Sequence, residues 1–359
     1  MRGLRILSAM GIVTVQDAGR PGFLAQGLSR GGAADPVALA EGAALLRQPP
    51  GTAEVELMGG ALTARADQPT RIALTGAPMR VTLTEGGETR PLDWHASHLL
   101  PAGAELALRP GLKGGFGYLH LGGGIATAPV MGARSAHLAG GLDGVLRAGE
   151  TLPLGEDAGT ETDLMLDPLP RFGAGTLRAV ESLQTALYGS DQIARLQRTA
   201  FRRDSHGNRM GVRLDLDGAE PFTAEGGLSV LSEIVQPGDI QVTGDGTPFL
   251  LMAECQTTGG YPRIATVLPC DLPIVAQASP GAVLRIALVD RDAAVDALRE
   301  AARALAELPR RIRPRVRSPE RMTDLLAFNL VGGMVDARRP DHIDHPLLDD
   351  EPDPQGTPP

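Results

Sequence analysis

Aromatic residues make up only 3% of this 359-residue chain, so the core must be filled mostly by Val, Leu, Ile and Ala. Lysine is almost missing: 33 Arg accompany a single Lys, Lys113. There are two cysteines, Cys255 and Cys270, which give no disulfide framework and fit a reducing compartment. No run approaches the ~18–20 apolar residues of a transmembrane helix. The start, Met1-Arg2-Gly3-Leu4-Arg5-Ile6-Leu7, has neither the apolar core nor the cleavage site of a secretory leader. A cytoplasmic protein is expected. The net charge of −9 argues against nucleic acid, whose binding needs a clustered positive surface.

Glycine and proline are plentiful: 46 Gly and 29 Pro, without a collagen period, suit a β-rich chain with many turns. At ~150 residues per domain the length suggests two domains. Residues 4–15 read as strand broken at Met10-Gly11. Residues 54–57, 70–75, 80–84, 105–108 and 116–121 follow as short strands divided by Gly or Pro, a pattern of barrels or sandwiches. Asp35-Pro36 opens a helix, with Asp as cap and Pro at the first position. Residues 156–167 are acidic, aperiodic and read as the linker. Beyond it, strands are expected at 176–180, 228–234, 239–242, 248–253, 264–268 and 282–288. Helices are expected from Ser190 and over 290–308, ended by Pro309. Ser318-Pro319-Glu320 caps a last helix, and residues 338–359 read as a disordered tail.

The chain centres on Gln256-Thr257-Thr258-Gly259-Gly260-Tyr261-Pro262, an amide, two hydroxyls, two glycines and a phenol between apolar strands. Such a loop on a rigid sheet suits a binding site. It equally suits a hairpin whose hydroxyls satisfy local backbone groups. Gln16-Asp17-Ala18-Gly19-Arg20-Pro21-Gly22 is a fixed turn that either aims a guanidinium at a ligand or ties the turn to carbonyls. A faint ordered repeat relates the halves. Gly103-Ala104-x-Leu106-x-Leu108 returns as Gly281-Ala282-x-Leu284-x-Ile286, and Gly19-Arg20-Pro21-Gly22 as Asn208-Arg209-Met210-Gly211. Two related β units with Arg20 and Arg209 in matching turns are expected. Gly122-Gly123-Gly124 lacks the GxxxxGK[ST] pattern of a phosphate cradle. Asp341-His342-Ile343-Asp344-His345 and Trp94-His95-Ala96-Ser97-His98 read as solvated charge and structural histidines, so no metal site is expected.

Val15-Gln16-Asp17-Ala18-Gly19-Arg20-Pro21-Gly22 with Gly32-Ala33-Ala34-Asp35-Pro36 resembles the opening of the 5-oxoprolinase C-subunit family. That family is also called allophanate hydrolase subunit 2 or the biotin-dependent carboxyltransferase family, and it includes the Kip anti-antagonists. Similar too are Gly132-Ala133-Arg134-Ser135, Asn208-Arg209-Met210-Gly211, residues 256–262 and Asp271-Leu272-Pro273. Glu254 stands where the family pattern has Asp, and the acidic tail is extra. The resemblance implies a mainly β fold of two related cyclophilin-like β-barrel units with a few short helices. It divides the chain into one β-barrel half at 1–157, a second at 168–310, and a terminal helix with the tail at 311–359. It implies B-type and A-type partner subunits and ATP-dependent opening of 5-oxo-L-proline to L-glutamate, with ATP bound in the assembled complex. Catalytic candidates are Asp17, Arg20, Asp35, Arg209 and Glu254. Substrate-binding candidates are Gln16, Asn208, Gln256, Thr257, Thr258, Gly259, Gly260 and Tyr261. The arginines suit a carboxylate or phosphate, the acids a proton, and the loop a developing oxyanion. The resemblance equally allows a carboxyltransferase of a urea-type carboxylase, or a non-enzymatic regulator that binds a partner inhibitor. In the carboxyltransferase case biotin must come from another protein, because the only Lys sits in Leu112-Lys113-Gly114.

Overall fold

The structure, a computed structural model, describes residues 2–315 and, beyond them, only Met334–Val335 and Ile343–Asp344, which pair antiparallel. The expected last helix, the tail and the Asp341 to His345 cluster thus lie wholly or largely outside the described residues. Met1–Arg315 forms one compact unit.

The unit opens with β1 (Gly3–Gln16), α1 (Pro36–Leu46), β2 (Glu54–Ala66), β3 (Thr70–Gly76), β4 (Arg80–Glu85), β5 (Glu88–Pro91), β6 (Ala96–Leu100), β7 (Glu105–Arg109), β8 (Phe116–Leu121), β9 (Thr151–Pro153) and β10 (Leu164–Met165). They run β10-β6-β3-β8-β2-β7-β4-β5 in one sheet, with β1 pairing to β2 and β9. Leu4, Ile6, Val55, Leu57, Leu74, Leu106 and Leu119 fill its core. Asp35 caps α1 as expected, its Oδ1 accepting from the Val37 and Ala38 N–H groups at 3.1 Å. The expected break in the first strand is a bulge: pairing with β2 shifts between Met10 and Ile12, where Gly11 takes a φ of 73°.

The second assembly comprises β11 (Gly175–Val180), α2 (Ser190–Arg198), β12 (Phe201–Arg203), β13 (Gly211–Asp215), β14 (Glu233–Ile234), β15 (Asp239–Val242), β16 (Pro248–Leu251), β17 (Thr258–Gly259), β18 (Arg263–Val267), α3 (Leu272–Gln277) and β19 (Val283–Leu288). Seven of these strands close a barrel, β11-β18-β15-β16-β13-β12-β19. Then come α4 (Arg291–Ala306), α5 (Leu308–Arg311) and β20 (Arg313–Pro314). The expected helix stops at Ala306, and Pro309 is the second residue of the separate turn α5 rather than the terminator of that helix.

The fold is mainly β, with one closed barrel and one sheet that does not close. The outer strand β5, Glu-Thr-Arg-Pro, is exposed at every residue; charge and a terminal Pro protect that edge from further pairing. The acidic linker is not a free tether. Its β10 pairs with β6 and β20, and Asp157 is bound by Arg71 at 2.6 and 2.9 Å. Residues 313–315 likewise belong to this unit, with Arg315 bound to Asp93 and Asp163. The barrel core runs into the sheet: Phe116, Tyr118, Ala34 and Ala38 pack with Leu250, Ile264, Val275 and Ala276.

Candidate functional site

The turns singled out in the sequence meet at the seam between sheet and barrel. After β1, Asp17 folds the chain back: its Oδ1 accepts from Gly19 N–H at 2.8 Å, its Oδ2 from Arg134 N–H at 2.6 Å. Gly19 has a φ of 78°, and a Cβ there would strike the Arg30 and Gly31 carbonyls. Ala33 N–H donates to the Asp17 carbonyl and Gly31 N–H to the Ala253 carbonyl, so sheet loop and barrel loop are stitched together.

Arg209, at the entry to β13, fills the seam. Its Nε binds Glu254 Oε1 at 2.5 Å, its Nη1 binds Glu56 Oε1, and its Nη2 donates to the Gly32 carbonyl at 2.5 Å. Burial opposes its charge, but Glu56 and Glu254 outweigh that and raise its pKa. Glu56 Oε2 accepts from the Tyr118 hydroxyl at 2.6 Å and from Ala34 N–H at 2.9 Å. The same hydroxyl accepts from Asp35 N–H at 2.8 Å. Asp35 Oδ2 in turn takes Arg171 Nε at 2.6 Å and Gln277 Nε2 at 2.7 Å, and Arg171 also grips Glu41. Burial, then Glu56, pushes the Tyr118 phenol up, so it stays a neutral donor.

Ser29, His137 and Glu254 lie in nucleophile, base and acid order, with Ser29 Oγ 2.9 Å from Nε2 and Glu254 Oε2 4.0 Å from Nδ1. The wiring is nonetheless wrong for a hydrolytic triad. Gly140 N–H donates to Nδ1 at 2.9 Å, so the ring proton sits on Nε2 and points at the serine. Burial lowers the His137 pKa, and Arg20 and Arg209 add to that against the pull of Glu254. A neutral ring in this tautomer cannot take the serine proton.

The predicted residues therefore divide by environment. Gln16, Asp17, Arg20, Asp35, Arg209 and Glu254 are all buried. Arg20 Nη2 donates to the Ser135 carbonyl at 2.5 Å, and Gln16 Nε2 to Thr14 and the Ala136 carbonyl. Gln256, Thr258, Tyr261 and Asn208 are exposed, while Thr257, Gly259 and Gly260 are half-buried. Asn208 Oδ1 accepts from Met210 and Gly211 N–H and closes its turn. Gln256 Nε2 reaches Gln241 Oε1 at 3.0 Å, and Thr258–Gly259 pairs with Glu233–Ile234. The first two stretches converge at Gly31, Gly32 and Glu254; the third runs on from Glu254 to the surface. It offers a ligand an amide, hydroxyls and a phenol.

Sequence reasoning missed Glu56, Tyr118, Arg171 and Gln277. Glu56 gave one signal: with Glu54 it alternates between Val55 and Leu57, which on a strand puts two acids on one face. Both faces of that stretch are buried.

Cavities of ≈ 650 Å³, beside Arg47, Gln48 and Arg71, and ≈ 560 Å³, beside Val37, Cys270 and Leu298, are lined by none of the predicted site residues. The glycine triplet at the first is no phosphate cradle. Its N–H groups are taken by the Arg71 carbonyl, Gln48 Oε1 and the Leu121 carbonyl, and Asp157 crowds Gly122. His95 packs edge-on against Trp94 and Phe172, with burial pushing its pKa to about 4, and His98 Nε2 meets the Asp93 carbonyl. Among the described residues no cluster of His, Cys, Asp or Glu is arranged to hold a metal ion. Nor is any helix there long and apolar enough to cross a membrane.

A family model described as carboxyltransferase domain, subdomain A and B, matches residues 26–288. The chain is 31% identical over 314 residues to a 5-oxoprolinase C subunit of Escherichia coli, covering 86% of this chain and 98% of that one. It is 30% identical over 288 residues to a 5-oxoprolinase C subunit of Haemophilus influenzae, covering 79% and 90%. Among solved structures, TTHA0988 superposes with a TM-score of 0.72 at 27% identity over 80% of this chain, which spans about half (55%) of that one. The urea carboxylase of Kluyveromyces lactis shares the fold, with a TM-score of 0.75 at 19% identity over 88% of this chain and 31% of that one.

Proposed function

Since this chain belongs to the carboxyltransferase family of subdomains A and B, we propose that it serves as the C subunit of an ATP-dependent 5-oxoprolinase, which opens 5-oxo-L-proline to L-glutamate together with A-type and B-type subunits. The observation that carries this reading is the name of two relatives at 30% and 31% identity, each a 5-oxoprolinase C subunit matched almost end to end. Opening this lactam needs activation of a poor amide carbonyl by ATP, followed by water. The glycine triplet, with every N–H already bonded, does not fit a nucleotide phosphate. ATP is therefore assigned to the assembled complex, and no step on this chain passes through it.

The chain's own part follows from which groups face solvent. Gln256, Thr257, Thr258 and Tyr261, with the Gly259-Gly260 backbone, are the groups placed to hydrogen-bond a small polar substrate. Arg209 and Glu254 position that stretch by locking its root to the sheet, and Asp17 shapes the sheet turn that faces it. Asp35 braces the same seam through Gln277, and Arg20 ties the sheet turn to the Ser135 carbonyl. The family description favours one second reading, transfer of a carboxyl group from biotin carried on another protein.

Co-expression with the A-type and B-type proteins of the same organism tests this. ATP-dependent glutamate release from 5-oxoproline is expected from the three together and not from the chain alone. Absence of release, with carboxyl transfer from a biotin donor instead, would replace the first reading by the second.

A further inference from the structure

Four large exposed apolar residues lie on or next to one small hairpin: Leu183 (91% exposed), Leu231 (88%), Ile234 (61%) and Tyr261 (43%). The hairpin pairs β14 with β17 outside the closed barrel. Val230 N–H donates to the Gly260 carbonyl and Val235 N–H to the Thr257 carbonyl, which extends the pairing on both sides. Gln184 Nε2 binds Glu233 Oε2 at 2.9 Å and brings the neighbouring Leu183 alongside. This is not a loose loop with stray side chains. Arg263 holds the Glu233 carboxylate at 2.6 Å and the Ile234 carbonyl at 2.9 Å, anchoring β14 to the barrel strand β18. Isolated exposed apolar residues are ordinary; a fixed group of them rimmed by charge marks a contact surface. Acids stand around it: Glu181, two residues before Leu183, and Glu225, whose N–H bonds the Leu187 carbonyl, are exposed, and Glu233, though paired with Arg263, keeps its side chain 47% exposed.

We propose that this hairpin is the docking surface for the B-type partner, whose matching face is apolar at its centre and basic at its rim. The inference rests on the reading of this chain as one member of a complex and adds where the partner sits. Charge chooses this occupant: a second copy of the chain would set acidic rim against acidic rim, whereas a partner with a basic rim is complementary. Docking there also places the partner against residues 256–261, the stretch proposed to meet substrate.

The test uses the full chain and the purified B-type protein of the same organism, with binding measured by calorimetry. Ile234→Asp and, on an independent segment, Leu183→Asp are expected to weaken binding at least ~10-fold, because a buried carboxylate at an apolar contact is unpaired. Glu225→Lys is expected to slow association, most strongly at low salt. Leu112→Asp, at a fully exposed apolar residue elsewhere, is the control and should bind as wild type. Melting temperatures of all four should match wild type. Wild-type binding that survives both Ile234→Asp and Leu183→Asp overturns the docking surface and leaves the complex intact. No binding by wild type overturns the complex itself, and the surface with it. Self-association of the chain that these substitutions abolish would assign the surface to a second copy instead.

Discussion

Arg209 of the barrel and Glu56 of the sheet form an ion pair sealed from solvent, with side chains 3% and 1% exposed. With Glu254 they make a carboxylate–guanidinium–carboxylate bridge across the seam. Such a bridge adds little net stability over an apolar filling, but removing one member strands the rest. Arg209→Met leaves two buried carboxylates facing a thioether and is expected to cost about 3–5 kcal/mol in denaturant unfolding. Glu56→Gln in the same background should cost far less than it does alone, a coupling of at least ~1 kcal/mol. Additive losses would mean that the bridge is not what joins the two assemblies.

Gly42 lies in the middle of α1, where Gly→Ala ordinarily gains about 1 kcal/mol. Here the sign should reverse. A Cβ on Gly42 would run into the His120 ring, which Thr75 holds through Nε2 at 2.7 Å. Gly42→Ala is expected to destabilise by about 1–3 kcal/mol, as overpacking does. A raised melting temperature would show that α1 rides clear of the sheet.

Local devices were legible in the sequence. The Asp35-Pro36 cap, the strands around Ile72 and Leu119, and the helix after Asp290 follow from capping and alternation. The glycines of the expected repeat do share a local role: Gly103 and Gly281 each precede a strand and have a positive φ, 74° and 80°. Whether a sheet closes was not legible, since closure depends on how the outer strands end. Nor was the seam: Arg171 reaches Asp35 across 136 residues and Arg209 reaches Glu56 across 153. A charged residue on a Gly-fixed turn looks the same in sequence whether the fold turns it to a ligand or to a carboxylate from another assembly.

The pair Glu54 and His120 should leave a mark on pH stability. Burial holds the Glu54 carboxyl well above its usual range, against the pull of the Leu121 N–H and Gln48. Burial alone pushes His120 down to about 3. The Glu54 contribution is complete below a pH of 4.5, its ordinary pKa, and fades as pH climbs toward the raised folded value. The His120 contribution runs the other way: complete above 6.5, it fades as pH falls toward 3. Glu54→Gln removes the first and not the second. Between pH 5 and 8 the variant should lose less stability than wild type, while its loss toward pH 4 stays. Parallel curves over pH 5–8 would mean that Glu54 is ionised in the fold.

Thr258 separates a substrate contact from a structural one. It is exposed, and its strand pairing with Ile234 is made by the backbone. Val has the same branched shape and favours the same strand, so Thr258→Val should shift stability by no more than ~0.5 kcal/mol. What it deletes is one hydroxyl. Tyr261→Phe does the same to the phenol while keeping the apolar face of the ring for a partner. If residues 256–261 hydrogen-bond the substrate, each variant should bind the B-type protein as wild type does. Turnover of the assembled enzyme should nevertheless fall at least ~10-fold, about 1.4 kcal/mol of transition-state stabilisation. The loss should fall in kcat if the hydroxyl meets charge that develops during lactam opening, and in KM if it holds only the ground state. Weaker partner binding in step with lost turnover would move these groups from the substrate to the interface. Full turnover in both variants would leave residues 256–261 as a hairpin that satisfies its own backbone.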